Sequence, residues 1–491
     1  MPPNLRPLDL FIQKAVRRHR FPGLAFLLTR HGQRLMAKGY GYRDVAGRLP
    51  VSSRTIFGIA SVTKSFTALG IHRLQEEGRL RVTDPVIRHL PEFGTPNPRW
   101  TRRIQLQHFL SHSSGLPPLP SIYYTSGRSL ARSPVNDPRV SRKVGIDPNH
   151  PPIDTYEQLM DFLRTTRYRL LGPPGRYFSY SNEGFGLLGA VIERVSGHRL
   201  ERFLEEEILS PAGMESTTFD TGVMLREPEV TTLYSTPLPP RKKGWVASQE
   251  WWEDTCMRAA GALRTNLDDL ERYLEIYRTG GRVGRDRIAS AASVQAMMRP
   301  RILVTPGLYY GYGLGIRPDF PGGPLVSHSG GLKGVSSLVA VLPQRGITSA
   351  SLLNLGEAED FGVAVQAGIN LLVGRPLSEP LTDIPPNPPK PPTYQPFAGY
   401  YCSGEGIWFR ARALRRGLRV DFIGIEFTQK NLLVRPNGHD EFILGRRGRK
   451  GYVRFERDAR GRIWAAFVGS RLVRRRTVGE MALARKNRMV W

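Results

Sequence analysis

Ser61 and Lys64 stand three residues apart in the stretch Ile59-Ala60-Ser61-Val62-Thr63-Lys64-Ser65-Phe66, which continues as an apolar run to Leu74. If Ser61 opens a helix over that run, its hydroxyl and the lysine amine lie one turn apart on the same face. A serine hydroxyl becomes a strong nucleophile when a nearby base takes its proton, and a lysine kept from water is a weak enough acid-holder to be that base. A helix N-terminus at Ser61 adds free N–H groups and a partial positive field, both suited to a forming oxyanion. Alone the pair is weak, because Ser-x-x-Lys arises by chance roughly once or twice in a chain of this length. Its plainer reading is a serine near a helix start followed by a solvated lysine.

Two further stretches carry reactive groups. Tyr180 and Asn182, in Phe178-Ser179-Tyr180-Ser181-Asn182-Glu183, precede a dense apolar run from Phe185 to Val195 that reads as a buried helix. A tyrosine or asparagine there ordinarily packs or caps the helix. Alternatively the phenol assists proton transfer and the amide holds Lys64 or a substrate carbonyl. His328-Ser329-Gly330-Gly331 lies between two strand-like runs. His328 there serves either structure or contact with the substrate or a Ser61–Tyr180 network. Its glycines let the strand approach a substrate closely, so that the Gly331 N–H joins that of Ser61 in an oxyanion hole. His112-Ser113 invites a similar reading, but it sits on a turn with Gly115 and no third partner, and reads as the polar closure of a helix end.

The elements that must position these groups follow from periodicity. Leu8 to His19 is an amphipathic helix, and Gly23 to Arg30 with Arg34 to Tyr42 a hairpin turned at His31-Gly32-Gln33. Thr155 to Thr165 and Glu201 to Leu209 read as helices, and Thr265 with Asp268 has capping-box spacing for a helix to Tyr277. Tyr309 to Ile316 reads as one twisted strand, Val335 to Leu342 and Ile347 to Leu355 as two more, and Gly362 to Leu372 as a closing helix. Pro117 to Pro152, rich in Pro, Ser, Gly and Arg, is long for a loop and reads as a lid over a substrate cleft. Pro380 to Pro396 holds eight prolines, a semi-rigid linker that divides the chain into residues 1–379, 380–396 and 397–491. Beyond it, short strand-like runs between turn residues suggest a small antiparallel barrel with no nucleophile constellation.

At 491 residues and 40% hydrophobic content the chain can bury sizeable cores. Charged residues interrupt its first twenty positions, and no later run approaches the about 20 apolar residues of a membrane helix, which points to a cytoplasmic protein. Cys256 and Cys402 are its only cysteines; no Cys/His cluster suggests a metal, and the chemistry calls for no cofactor. Of the +28 net charge, half falls between Thr393 and Trp491, which hold 22 Lys/Arg against 8 Asp/Glu. That surplus supports a second function class, a non-catalytic protein whose basic C-terminal domain holds an anionic partner. Arginine outnumbers lysine 60 to 11, and the runs Arg446-Arg447-Gly448-Arg449-Lys450 and Arg474-Arg475-Arg476 lack stacking aromatics, which weighs against nucleic acid.

In chain order, Ser61-x-x-Lys64, Tyr180-x-Asn182 and His328-x-Gly330 resemble the signature of the class C β-lactamase-like serine hydrolases. That superfamily includes β-lactamases, low-molecular-weight penicillin-binding proteins, esterases, and D-amino-acid-specific aminopeptidases and amidases. The resemblance covers roughly Leu8 to Leu372, and His112-Ser113-Ser114-Gly115-Leu116 and Ala260-Gly261-Ala262-Leu263 are also similar to family segments. It implies an α/β (α+β) fold, an antiparallel sheet flanked by helices beside a mostly helical subdomain, with the nucleophile in the cleft between. It further implies that Ser61 is acylated, Lys64 and Tyr180 shuttle the proton, Asn182 positions the substrate, and His328, Ser329, Gly330 and Gly331 line the opposite wall. One departure is informative: β-lactamases of this superfamily carry a lysine where His328 stands, so a permanent cation is replaced by a mostly neutral imidazole. Histidine there is similar to the esterase and D-aminopeptidase branches. An added barrel is similar to that of superfamily peptidases, where it shapes access to the cleft or mediates assembly, and a homo-oligomer is compatible with it. The expectation is a serine hydrolase acting through an acyl-enzyme on esters or small amide and peptide substrates, D-amino-acid ones included. The alternatives are a β-lactamase or penicillin-binding-type D,D-peptidase, and the anion-binding protein.

Overall fold

Gly23–Arg30 (β1) is buried at every position but its last, and its side chains alternate between two cores. Leu24, Phe26 and Leu28 enter one, Ala25 and Leu27 the other. A strand covered on both faces reads as a continuous apolar run, which is why the first hairpin was legible. In the computed structural model β1 pairs antiparallel with Gln33–Asp44 (β2) on one side and with Ile347–Leu353 on the other. The description covers all residues except 1–2, 127–145, 148, 237–243, 249, 254, 357, 359, 382–383, 385–389, 424–427, 447–448 and 485–491.

The other strands of this sheet are Leu49–Pro50 (β3), Ile302–Thr305 (β4), Leu308–Tyr310 (β5), Gly315–Arg317 (β6), Leu325–Leu332 (β7), Val335–Leu342 (β8) and Ile347–Leu353 (β9). They form one antiparallel sheet in the order β4-β5-β6-β7-β8-β9-β1-β2-β3. Helices Arg6–His19 (α1) and Val363–Leu372 pack on one face through Leu8, Ile12, Val16 and Ile369. The other face carries the larger core, which also buries Thr63–Glu76 (α2), Asn182–Ser196 (α3) and Leu267–Thr279 (α4). An antiparallel sheet flanked by helices, with further helices beside it, is the architecture the resemblance implied.

Local boundaries depart from expectation where polar or glycine chemistry decides them. Tyr309 to Ile316 is a hairpin, because Gly311–Leu314 turns the chain, with Gly313 at φ 71° and the Gly311 N–H donating to the Leu314 carbonyl at 2.8 Å. The cap of α4 is Asn266, whose side chain accepts from the Asp269 N–H at 2.9 Å, while Thr265 lies on a short strand against Phe57. Leu200–Leu204 is α-helical, and the chain then widens into a π turn over Glu205–Leu209. Most of the expected lid, and seven residues of the proline-rich linker, lie outside the described residues.

The C-terminal strands close into a barrel: Gly399–Cys402 (β10), Trp408–Leu414 (β11), Gly417–Ile423 (β12), Thr428–Pro436 (β13), Glu441–Arg446 (β14), Arg449–Arg457 (β15), Ile463–Val468 (β16) and Arg471–Arg476 (β17). Phe397, Tyr401, Phe409, Phe442 and Phe455 fill its interior, so it is a packed core rather than an open lumen. Its outer face packs on the sheet domain through Leu171, Phe178, Val304, Tyr310, Phe467 and Leu472. Among the described residues no helix is long and apolar enough to cross a membrane.

Candidate active site

Ser61 does not sit in the α-helix itself but in a 3-10 turn, Ala60–Val62, that leads into α2. Ala60 is forced to φ 46°, a left-handed conformation that costs a side-chain-bearing residue about 1–3 kcal/mol. The turn is held from two sides: the Ile59 N–H donates to the Leu263 carbonyl at 3.0 Å, and the Ser337 hydroxyl donates to the Ile59 carbonyl at 2.7 Å. Strand β7 passes so close that a Cβ on Gly330 would lie 2.1 Å from the Ile59 carbonyl oxygen. A Cβ on Gly331 would meet nothing within 4 Å. Gly330 is therefore where β7 touches the serine turn, and Gly331 is where it opens.

Lys64 is fully buried, and its Nζ lies 3.1 Å from Ser61 Oγ, 2.9 Å from Asn182 Oδ1 and 2.6 Å from the Ala260 carbonyl oxygen. Burial holds this amine well below the usual lysine range, the Arg471 cation adds to the effect, and the Glu405 and Glu183 carboxylates oppose it. A neutral amine has two N–H groups and one lone pair. Two of the Lys64 contacts are carbonyl-type oxygens that only accept, so in the neutral form both N–H groups are used there and the lone pair is free for the Ser61 hydroxyl. The hydroxyls of α2 secure the Ala260 contact: Thr67 donates to the Ala259 carbonyl at 2.7 Å, and Thr63 accepts from the Leu263 N–H at 3.2 Å.

Asn182 is free for Lys64 because its neighbour caps the helix. Ser181 Oγ accepts from the Gly184 N–H at 3.2 Å and donates to Glu183 Oε2 at 2.7 Å. Three successive main-chain N–H groups then fix the tyrosine. Ser179 donates to the His112 carbonyl at 2.9 Å, Tyr180 to the Ser470 carbonyl at 3.0 Å, and Ser181 to His112 Nδ1 at 3.1 Å. The His112 imidazole stacks on the Tyr180 ring at 3.9 Å. The Tyr180 hydroxyl is buried, makes no hydrogen bond of good geometry, and has Ser61 near enough to ease its ionisation while burial pushes it up.

Both ring nitrogens of His328 are engaged by groups other than Ser61 and Tyr180. Its Nδ1–H donates to the Ser329 carbonyl at 2.7 Å, and its Nε2 accepts from the Tyr310 hydroxyl at 2.8 Å. Burial pushes this imidazole down to about 3, with the Lys64 charge contributing, so it is neutral near pH 7. The structure thus brings Ser61, Lys64, Tyr180 and Asn182 together. His328, Ser329, Gly330 and Gly331 form the strand beside them, with His328 bonded to Tyr310 rather than to the Ser61–Tyr180 pair.

Sequence reasoning missed groups that the barrel and the His112 turn supply. Arg471 places its guanidinium 4.5 Å from the Tyr180 ring centroid and donates through Nε to Glu405 Oε2 at 2.6 Å. Glu405, 8% exposed, is itself pushed up by burial, and its Oε1 has no hydrogen-bond partner. Its loop is anchored where the Gly404 N–H donates to the Pro118 carbonyl at 2.8 Å and the Tyr123 hydroxyl to the Glu405 carbonyl at 3.0 Å. For His112 the signal was present in His112-Ser113-Ser114-Gly115-Leu116; for Arg471 and Glu405 no local pattern marks them.

A partly exposed serine on a fully buried lysine with a tyrosine beside it, set between an antiparallel sheet and a helical layer, defines the serine-hydrolase class of β-lactamase-like folds. The sequence matches the family described as "Beta-lactamase" over residues 8–371, and the chain belongs to that family. It is similar to penicillin-binding protein 4* of Bacillus subtilis (strain 168), 24% identical over 442 residues that cover 87% of this chain and 88% of that one. Among solved structures it resembles the octameric penicillin-binding protein homologue from Pyrococcus abyssi, with TM-score 0.67, 27% identity, and coverage of 96% of this chain and 99% of that chain. It also resembles a D-stereospecific amidohydrolase from Streptomyces sp., with TM-score 0.58, 23% identity, and coverage of 74% and 98%.

Proposed function

We propose that this protein is a serine hydrolase that cleaves esters and small amide or peptide substrates, D-amino-acid derivatives included, through an acyl-enzyme on Ser61. The observation that carries the reading is the buried Lys64 amine, whose Nζ lies 3.1 Å from Ser61 Oγ. In the first half-reaction Lys64 takes the Ser61 proton as Oγ bonds to the substrate carbonyl carbon. The oxyanion is held by the N–H groups of Ser61 and Gly331, and Tyr180 passes a proton to the leaving group. In the second half-reaction water attacks the acyl carbon, gives its proton to the same Lys64–Tyr180 pair, and Ser61 leaves with a proton restored. Asn182 keeps Lys64 aimed throughout. The neutral His328 offers no cation for a β-lactam carboxylate, which favours esters and amides over β-lactams.

A cytoplasmic setting belongs to the reading, supported by sparse cysteine use. So does self-association, because the similar Pyrococcus abyssi protein is octameric; light scattering of the purified protein checks it. The function is tested by assaying p-nitrophenyl esters, D-amino-acid anilides and a chromogenic cephalosporin with wild type and Ser61→Ala. Ester or anilide hydrolysis that vanishes in Ser61→Ala, with little cephalosporin turnover, is the expected pattern; hydrolysis retained in Ser61→Ala contradicts it.

A further inference from the structure

The β16–β17 hairpin turns through Gly469 and Ser470 alone, with φ 53° and 65°, the left-handed pair of a tight two-residue turn. Such a tip is rigid, and it points into the candidate active site. The Ser470 carbonyl takes the Tyr180 N–H at 3.0 Å, and the Leu472 N–H donates to Ser179 Oγ at 3.3 Å. Between them Arg471, its side chain 13% exposed, lies against the Tyr180 ring at 4.5 Å. Its fork is set by Glu405 Oε2 at 2.6 Å and by Ser470 Oγ, to which Nη1 donates at 2.9 Å.

We propose that this hairpin is a working part of the hydrolase site, with Arg471 as a positioning residue that holds Tyr180 over Ser61 and tunes the Tyr180–Lys64 pair by its charge. The inference rests on the serine-hydrolase reading above. A buried cation against the ring favours loss of the phenol proton and disfavours protonation of Lys64, whose Nζ lies 4.9 Å from the same ring centroid. Burial and the Arg471 charge both lower Lys64, whereas Glu405 raises it, so the two members of the barrel's ion pair act on the base with opposite sign. The other ionisable groups around this pair are Glu183, His112, His328 and Tyr310. Burial holds both imidazoles neutral near pH 7 and Tyr310 protonated, and Glu183 is tied to Ser121 and Ser181. The barrel's charges are therefore the adjustable ones.

The test uses the full chain and the pH dependence of Ser61 labelling by a fluorophosphonate, with Arg471→Gln, Arg471→Lys and Glu405→Gln. Arg471→Gln is expected to slow labelling at neutral pH at least about 10-fold and to move the acid limb of the profile up by about 1 pH unit. Arg471→Lys, which restores a cation, should return the limb most of the way. Glu405→Gln should move it down. A structural role alone predicts losses of one sign and no opposed shifts. If Arg471→Gln does not fold, the Glu405→Gln shift decides: a limb that stays in place or moves up overturns the inference. Wild type labelled at Ser61 with all three variants sharing its profile overturns the inference and leaves the hydrolase reading intact. Wild type that takes no label at Ser61 removes the hydrolase reading, and the inference with it.

Discussion

Lys64 Nζ reaches Asn182 Oδ1 at 2.9 Å, and this contact helps fix the side from which the amine meets Ser61. With one N–H held by Asn182 and the other by the Ala260 carbonyl, the remaining direction is toward Ser61. Asn182→Ala is therefore expected to cut acylation of Ser61 by about 10²-fold, through misdirection of a base that is still present. Lys64→Arg, which puts a permanent cation in place of the base, should cut it by about 10³-fold or more. Equal losses in the two variants would contradict the separation of roles; single-turnover labelling rates measure both.

Lys64 also sets a pH dependence of stability. Its folded-state ionisation lies well below that of the unfolded chain, because burial disfavours the charged amine. As pH falls from about 10 toward neutral, the unfolded state takes up a proton that the folded state refuses, so this group lowers stability by up to about 1.4 kcal/mol per pH unit. Lys64→Met removes that term. The variant is expected to lose activity and to unfold at higher denaturant than wild type at pH 7, with the difference shrinking at pH 10. Equilibrium denaturation at the two pH values checks the sign.

Gly330 and Gly331 make a paired test of the strand beside the serine. A methyl at Gly330 would lie 2.1 Å from the Ile59 carbonyl and 2.4 Å from Ser337 Oγ, and the first of these is backbone that cannot swing aside. Gly330→Ala should cost about 1–3 kcal/mol or more and displace the Ser61 turn. Gly331→Ala meets open space and should unfold like wild type, with any effect confined to KM. Thermal unfolding beside steady-state kinetics distinguishes the two.

His328 accepts from Tyr310 and is held neutral with its acidity near 3, so it contributes no titration between pH 5 and 8. His328→Gln keeps an acceptor near the Tyr310 hydroxyl. The expected result is a wild-type acid limb in the pH profile, even where the rate falls severalfold. A limb that moves or disappears would show that the imidazole titrates during turnover.

Much of this was readable before any coordinates. The continuous apolar run of Gly23–Arg30 announced a strand, which the structure covers on both faces, and Ser61-x-x-Lys64 announced a neighbouring pair because its spacing is local. Contacts between distant segments were not readable. Arg471 joins Tyr180 across 291 positions of chain, within a stretch whose basic surplus reads as a surface for an anionic partner. Alternation explains why that strand was missed: Leu472 and Val473 are buried, Arg475 points outward, and the apolar signal is only two residues long. His112 was read as the polar closure of a helix end. Its left-handed φ of 54°, which turns the ring under Tyr180, is a tertiary outcome that no local pattern records.

The most direct measurement is the mass of the protein after brief reaction with a fluorophosphonate, followed by peptide mapping, for wild type and Ser61→Ala side by side. A single adduct per chain on the peptide containing Ser61, absent from a folded Ser61→Ala variant, is the predicted result. An adduct on any other residue, or unchanged labelling of Ser61→Ala, would contradict an acyl-enzyme at Ser61.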